Sequence, residues 1–128
     1  MDFAWTAEQE AYRDRIRTLV RESLPDDWWE NYASEGPSTP ALMEFARGFG
    51  KKLAATGDVA SHWPSEYGGR ESSAWEHIIL SEEMWSEAEP RSSLYMGSNW
   101  VGPAVMAFGT PQQKAEHLGQ IKIGRAHV

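Results

Sequence analysis

At 128 residues with 41% hydrophobic content, the chain is long enough to close one core and too short for a multi-domain enzyme. A formal charge of −7 argues against a basic face for nucleic acid or anionic membrane surfaces. The lack of cysteine removes disulfides, thiolate metal sites and thiol nucleophiles, and suits a reducing, cytoplasmic setting.

The opening residues show no basic region followed by an apolar run, and no stretch has the length to cross a bilayer, so neither export nor membrane insertion is expected. Thr6 with Gln9 forms a capping box, after which Tyr12, Ile16, Leu19 and Val20 recur at helical spacing. This predicts an amphipathic helix over about residues 7–22, with Arg13, Asp14, Arg17 and Arg21 on a solvated face. Pro25-Asp26-Asp27 breaks it and caps a short turn through Trp28, Trp29 and Tyr32; Glu35-Gly36-Pro37-Ser38 reads as a loop. Thr39 as N-cap and Pro40 at the first helical position start a second long helix. It places Leu42, Phe45, Ala46, Phe49 and Leu53 on one face, with Gly57 just past its end.

Beyond a loop at 63–70, a helix over about 73–88 is expected to bury Trp75, Ile78 and Ile79, with Glu82 at the next position of that repeat. Pro90 ends it. Helical spacing resumes over 94–108 through Tyr95, Met96, Trp100, Val101, Ala104, Val105 and Phe108, with a kink expected at Gly102-Pro103. Gly109 stops that helix, and Thr110-Pro111-Gln112-Gln113 opens the last with a second capping box. No strand is expected. Seven tryptophans exceed what so small a core accommodates, which predicts that some pack against another domain or subunit.

Little catalytic chemistry is legible. A di-iron bundle needs Glu-x-x-His pairs, and no histidine here has Glu three residues before it. His62, His77, His117 and His127 lack zinc-ligand spacing. Glu82 and Glu83 are helix neighbours about 100° apart, too divergent to clamp one reacting group, so Glu82 is expected to bond to a loop or helix end. The glycines form no G-x-G-x-x-G turn, and Ser92, Ser93 and Ser98 lie in no nucleophile elbow.

Two stretches carry most of the remaining information: Trp63-Pro64-Ser65-Glu66-Tyr67-Gly68-Gly69-Arg70 and Phe108-Gly109-Thr110-Pro111-Gln112-Gln113-Lys114. Glu82-Glu83-Met84, Glu89-Pro90, Val101-Gly102-Pro103, His117-Leu118 and Ile121 fall between and after them. In this order they resemble the N-terminal domain of the acyl-CoA dehydrogenase family over roughly residues 3–121.

The resemblance implies an all-α fold of about six helices, an orthogonal bundle forming one domain over residues 1–121. In the complete enzyme it implies FAD-dependent α,β-dehydrogenation of an acyl-CoA thioester, with an electron-transfer flavoprotein-like acceptor and a homo-oligomeric assembly. The base and main flavin contacts belong to later domains, so no catalytic, cofactor-binding or metal residue is assigned. The expected role is an acyl-pocket wall and an interdomain surface, and this piece alone is expected to be inactive and not to bind FAD.

The helix matching the family's acyl-lining helix spans 92–108, and Ser92, Met96 and Trp100 at i, i+4 and i+8 become the candidate substrate-binding residues. Ordinary helix packing is the alternative for all three. A stand-alone helical binding or scaffold module without catalysis is the alternative for the whole chain. Finally, Ile123-Gly124-Arg125-Ala126-His127-Val128 matches the translation of ATC GGA AGA GCA CAC GTC, the start of a common sequencing adapter, with Lys122 as the junction codon. Residues 122–128 are therefore expected to be a non-native tail, the alternative being a genuine basic terminus.

Overall fold

The computed structural model describes residues 3–34, 36 and 39–125. Glu35, Pro37 and Ser38 of the expected loop lie outside the described residues, as does His127 with its two neighbours.

Helix α1 (Ala7–Ser23) starts where its cap predicts: the Thr6 side chain accepts from the Gln9 amide, and the Gln9 side chain accepts from the Thr6 amide. It buries Tyr12, Ile16 and Val20. The short α2 (Trp28–Asn31) seats Trp28 in the interior, with its indole N–H on the Glu87 carbonyl at 3.0 Å. Helix α3 (Pro40–Ala55) is capped by Thr39 and turns Leu42, Ala46, Phe49 and Leu53 inward. Gly57, at φ +75°, supplies the left-handed residue that ends the turn.

A single 3₁₀ turn (Ser65–Tyr67) lies in the 63–70 loop. Helix α4 (Ala74–Ser86) packs along α1. Its buried side is Ile79, Leu80, Glu83 and Met84, whereas Trp75 and Ile78 are exposed. The inward face is thus rotated from the expected one, because α4 meets α1 through a buried carboxylate as well as through aliphatic groups.

Residues 94–108 form one continuous helical run in three parts: α5 (Leu94–Met96), a π turn (Gly97–Val101) and α6 (Gly102–Phe108). Helix α7 (Pro111–Lys122) opens with the second reciprocal box between Thr110 and Gln113 and packs on α6. With 94–108 taken as one, the described residues form six helices and no strand. One apolar core joins α1, α3, α4 and α7 through Ile16, Phe49, Ile79 and Leu118, with Trp63 and Leu94.

Candidate functional site

Arg13 and Arg17 of α1 do not belong to a free solvated face, whereas Arg21 is exposed. Arg13 reaches Glu82 at 2.7 Å and Glu83 at 2.9 Å, and Arg17 grips Glu83 through two nitrogens. Burial pushes the Glu83 carboxyl up, but Arg17 and Arg13 together outweigh it and hold the group below the usual carboxylate range. Glu82 thus bonds to a neighbouring helix's side chain, and Glu83 is the buried acid of the pair.

A second centre ties Asp58, just beyond α3, and Arg70, at the end of the 63–70 loop, to α1. Asp58 is fully buried and receives Arg15 at 2.8 and 2.9 Å, Arg70 at 3.3 Å and the Thr56 hydroxyl. Burial raises the Asp58 carboxyl, yet Arg15, Thr56 and Arg70 bring it below its ordinary value. Burial, helped by Asp58, pushes the Tyr12 phenol up to about 12. Every group here is satisfied by protein partners, which marks an internal brace.

The segment leading into helix 94–108 is tightly bound. Ala88, Glu89 and Ser92 all have positive φ, between +49° and +59°, a conformation that non-glycine residues hold only when their surroundings enforce it. Glu89 supplies that constraint: fully buried, it accepts from Arg91 Nε at 2.6 Å and Nη2 at 2.8 Å. Nearby, the His62 and His77 rings lie 4.2 Å apart, and their buried Nδ1 atoms have no hydrogen-bond partner among the described residues. Burial, and then the neighbouring His77, lower His62 to about 4, with Arg91 adding to the effect and the Ser98 backbone opposing it. Both imidazoles are therefore neutral near pH 7. Among the described residues no three His, Asp or Glu side chains gather as a metal site.

Of the three candidate substrate residues, Ser92 is buried in the turn ahead of α5, where its amide donates to the Glu89 carbonyl at 2.9 Å. Met96 is at the surface and Trp100 is 60% exposed. Only the last two lie on the helical run, Met96 just ahead of the π turn and Trp100 within it. Trp100 belongs to an open apolar groove of about 590 Å³ that it shares with Val101, Ala104, Val105, Phe108 and His117. Its indole meets Tyr95 edge-on at 5.6 Å, and Tyr95 meets Trp85 likewise. The groove can hold an apolar chain. Apart from Gln113 and His117, its lining is apolar side chains and Gly109.

Sequence reasoning missed how the loop and this helix are joined. The Trp63 indole N–H donates to the Ser98 carbonyl at 2.8 Å, and its ring lies against Gly102, where an added Cβ would come within 2.2 Å. The signal was a proline inside a helix, which leaves carbonyls without their helical donors.

Known proteins share both this sequence pattern and this fold. Residues 6–125 match the family described as "Acyl-CoA dehydrogenase, N-terminal domain". "Acyl-CoA dehydrogenase IpdE1" of Mycobacterium tuberculosis is 30% identical over 114 residues, 88% of this chain and 30% of that protein. "Acyl-CoA dehydrogenase FadE26" of the same organism is 36% identical over 127 residues, 99% of this chain and 31% of its own. Among solved structures, the "ChsE4-ChsE5 complex from Mycobacterium tuberculosis" superposes with a TM-score of 0.80 at 28% identity, covering 99% of this chain and 30% of the other. The "Tcur3481-Tcur3483 steroid ACAD" gives 0.81 at 29% identity, covering 97% and 31%. The chain spans under a third of the length of these relatives.

Proposed function

The chain belongs to the acyl-CoA dehydrogenase family, an FAD-using family of oxidoreductases, and from that premise we propose that it is the N-terminal portion of such an enzyme and forms a wall of the acyl pocket. One observation carries this reading: the exposed apolar groove along 94–108, with Trp100 at one end and Phe108 at the other. An unshielded groove of this kind is stable in water only at a cost, and an acyl chain or the remainder of a subunit would cover it.

The reaction we assign to the complete enzyme is removal of the α-proton and transfer of the β-hydride of an acyl-CoA thioester to flavin. The base and the flavin contacts come from outside this chain. Trp100 and Met96 are the acyl-facing residues in this proposal, and buried Ser92 supports the turn beneath them. Bulky, steroid-like acyl groups are the proposed substrate class, because a structural neighbour is described as a steroid ACAD and the groove is wide and open. Assembly with another acyl-CoA dehydrogenase chain, of the same or a different kind, follows from likeness to two-protein complexes. An electron-transfer flavoprotein is the proposed acceptor. Residues 122–128 are proposed to be foreign to the domain; reading the parent DNA through codon 122 tests that.

The substrate assignment is tested in a chimera joining residues 3–121 to the remaining domains of a relative. Trp100→Ala is expected to shift relative kcat/KM toward longer or bulkier acyl-CoAs, by up to about 0.8 kcal/mol per added buried methylene. A uniform fall with unchanged preference would reduce Trp100 to a packing residue. The chain alone is expected to bind no FAD, and saturable micromolar binding in a flavin fluorescence titration would overturn the proposed division of labour. A non-catalytic scaffold role is not favoured by any specific contact.

A further inference from the structure

We infer that Trp63 is a positioning residue for the helix at 94–108: its indole holds the π turn at Gly97–Val101 and thereby sets the angle at which Trp100 faces the groove. The consequence for substrate rests on the acyl-pocket reading above; the structural inference does not.

Pro103 creates the need for such a residue. A proline inside a helix has no N–H to give, and its ring collides with the carbonyl four residues back, here that of Asn99. The chain widens instead, and the Gly102 amide donates to the Gly97 carbonyl, five residues back. That choice leaves the Ser98 carbonyl without a backbone donor, so side chains must serve it: the Trp63 indole and, through the contact that opposes the lowering of its imidazole, His62. The α-helical donor of that carbonyl would be the Gly102 amide, now committed to Gly97, and its π-helical donor would be the N–H that residue 103 lacks. Ser98 is only 2% exposed, so water is a poor substitute, and an unpaired buried carbonyl is costly.

Trp63 supplies a direct side-chain donor. Its Nε1–H reaches the Ser98 oxygen at 2.8 Å, and the ring passes where only a glycine at 102 leaves room. Trp63 is itself held in place. Its amide donates to the Ala60 carbonyl, its carbonyl accepts from the Glu71 amide, and a Cβ on Gly69 would stand 2.0 Å from that carbonyl oxygen. Trp63, Gly69, Gly102 and Pro103 thus form one device built from two separate stretches of sequence. An extra residue in a helical turn rotates the downstream side chains by about 100°, so the widened turn decides where those lining the groove point.

A double-substitution cycle on the 128-residue chain tests this. Trp63→Phe removes the N–H and keeps most of the ring; Pro103→Ala gives Ser98 an alternative helical donor. We expect Trp63→Phe to lower the folding equilibrium constant about fivefold or more with Pro103 present, and distinctly less in the Pro103→Ala background, since the carbonyl then has a further donor. In samples carrying 5-fluorotryptophan, Trp63→Phe is expected to move the fluorine resonance of Trp100. Equal costs in the two backgrounds, or an unmoved Trp100 resonance, would overturn the inference. Should Trp63→Phe fail to fold, Pro103→Ala alone still reads it: hydrogen exchange of the Trp63 indole should quicken about fivefold as a competing donor arrives, and unchanged exchange would overturn it. No acyl-CoA enters these measurements, so their failure strikes the Trp63 inference alone. Unchanged acyl preference in the Trp100→Ala chimera strikes the acyl reading alone.

Discussion

Single ionisable residues decide how this domain responds to acid. His62 is held neutral, at about 4 against an ordinary value of 6.5, by burial first and by His77 and Arg91 next. The unfolded chain therefore binds the proton that the folded chain refuses. The stabilisation is complete above about pH 6.5 and is lost as pH falls toward 4, for at most about 3 kcal/mol from this residue. His77, also lowered by burial and Arg91, acts in the same direction. Asp58 behaves as a depressed carboxylate, with its contribution present above the ordinary Asp value and lost only in stronger acid. Urea midpoints between about pH 7 and about pH 5 should therefore fall in the parent chain and fall much less in His62→Phe, which removes the titrating group. An identical slope in that variant would assign the acid sensitivity elsewhere.

Helix ends are written locally, and there the sequence is legible. Thr6, Thr39, Ser73 and Thr110 each cap the helix that comes next, and both capping boxes form. The Thr110 box is the physical content of the Gly-Thr-Pro-Gln-Gln-Lys motif: the Thr110 hydroxyl accepts from the Gln113 amide at 3.2 Å, and the Gln113 side chain accepts in return from the Thr110 amide at 2.9 Å. Thr110→Ala is expected to cost about 1 kcal/mol, or about 4 °C in Tm for a domain this size, measurable by calorimetry. A change within error would mean that packing of α7 on α6 alone fixes the helix start. Faces that meet over long range were harder to read. Period alone turned Trp75 and Ile78 inward, because it could not foresee that Arg13 and Arg17 would draw Glu83 into the α1–α4 contact. The candidate site was partly legible. Trp100 is exposed on an apolar groove, but Ser92 precedes the helix and a π turn follows Met96, so even i, i+4, i+8 spacing did not place the three on one helical surface. The kink expected at Gly102-Pro103 takes the form of that π turn, just upstream of the proline.

At the scale of the molecule, burial and charge oppose each other. Trp28 and Trp63 are in the core, whereas Trp29, Trp75, Trp85 and Trp100 are each more than half exposed. The Trp85–Tyr95–Trp100 ladder continues into a groove ending at Phe108, which is 90% exposed. So much aromatic surface favours association, while a formal charge of −7 keeps copies apart at low salt. Salt weakens that repulsion, shortening the Debye length from about 30 Å at 0.01 M to about 3 Å at 1 M, and leaves apolar contact undiminished. The isolated chain should therefore self-associate increasingly as salt is raised. Trp100→Ser with Phe108→Ser should suppress this, because both residues are exposed and neither belongs to the core. Sedimentation velocity across a salt series reads the outcome directly. A monomer at every salt concentration, or association untouched by the double substitution, would show that the groove is not the surface through which this domain seeks a partner.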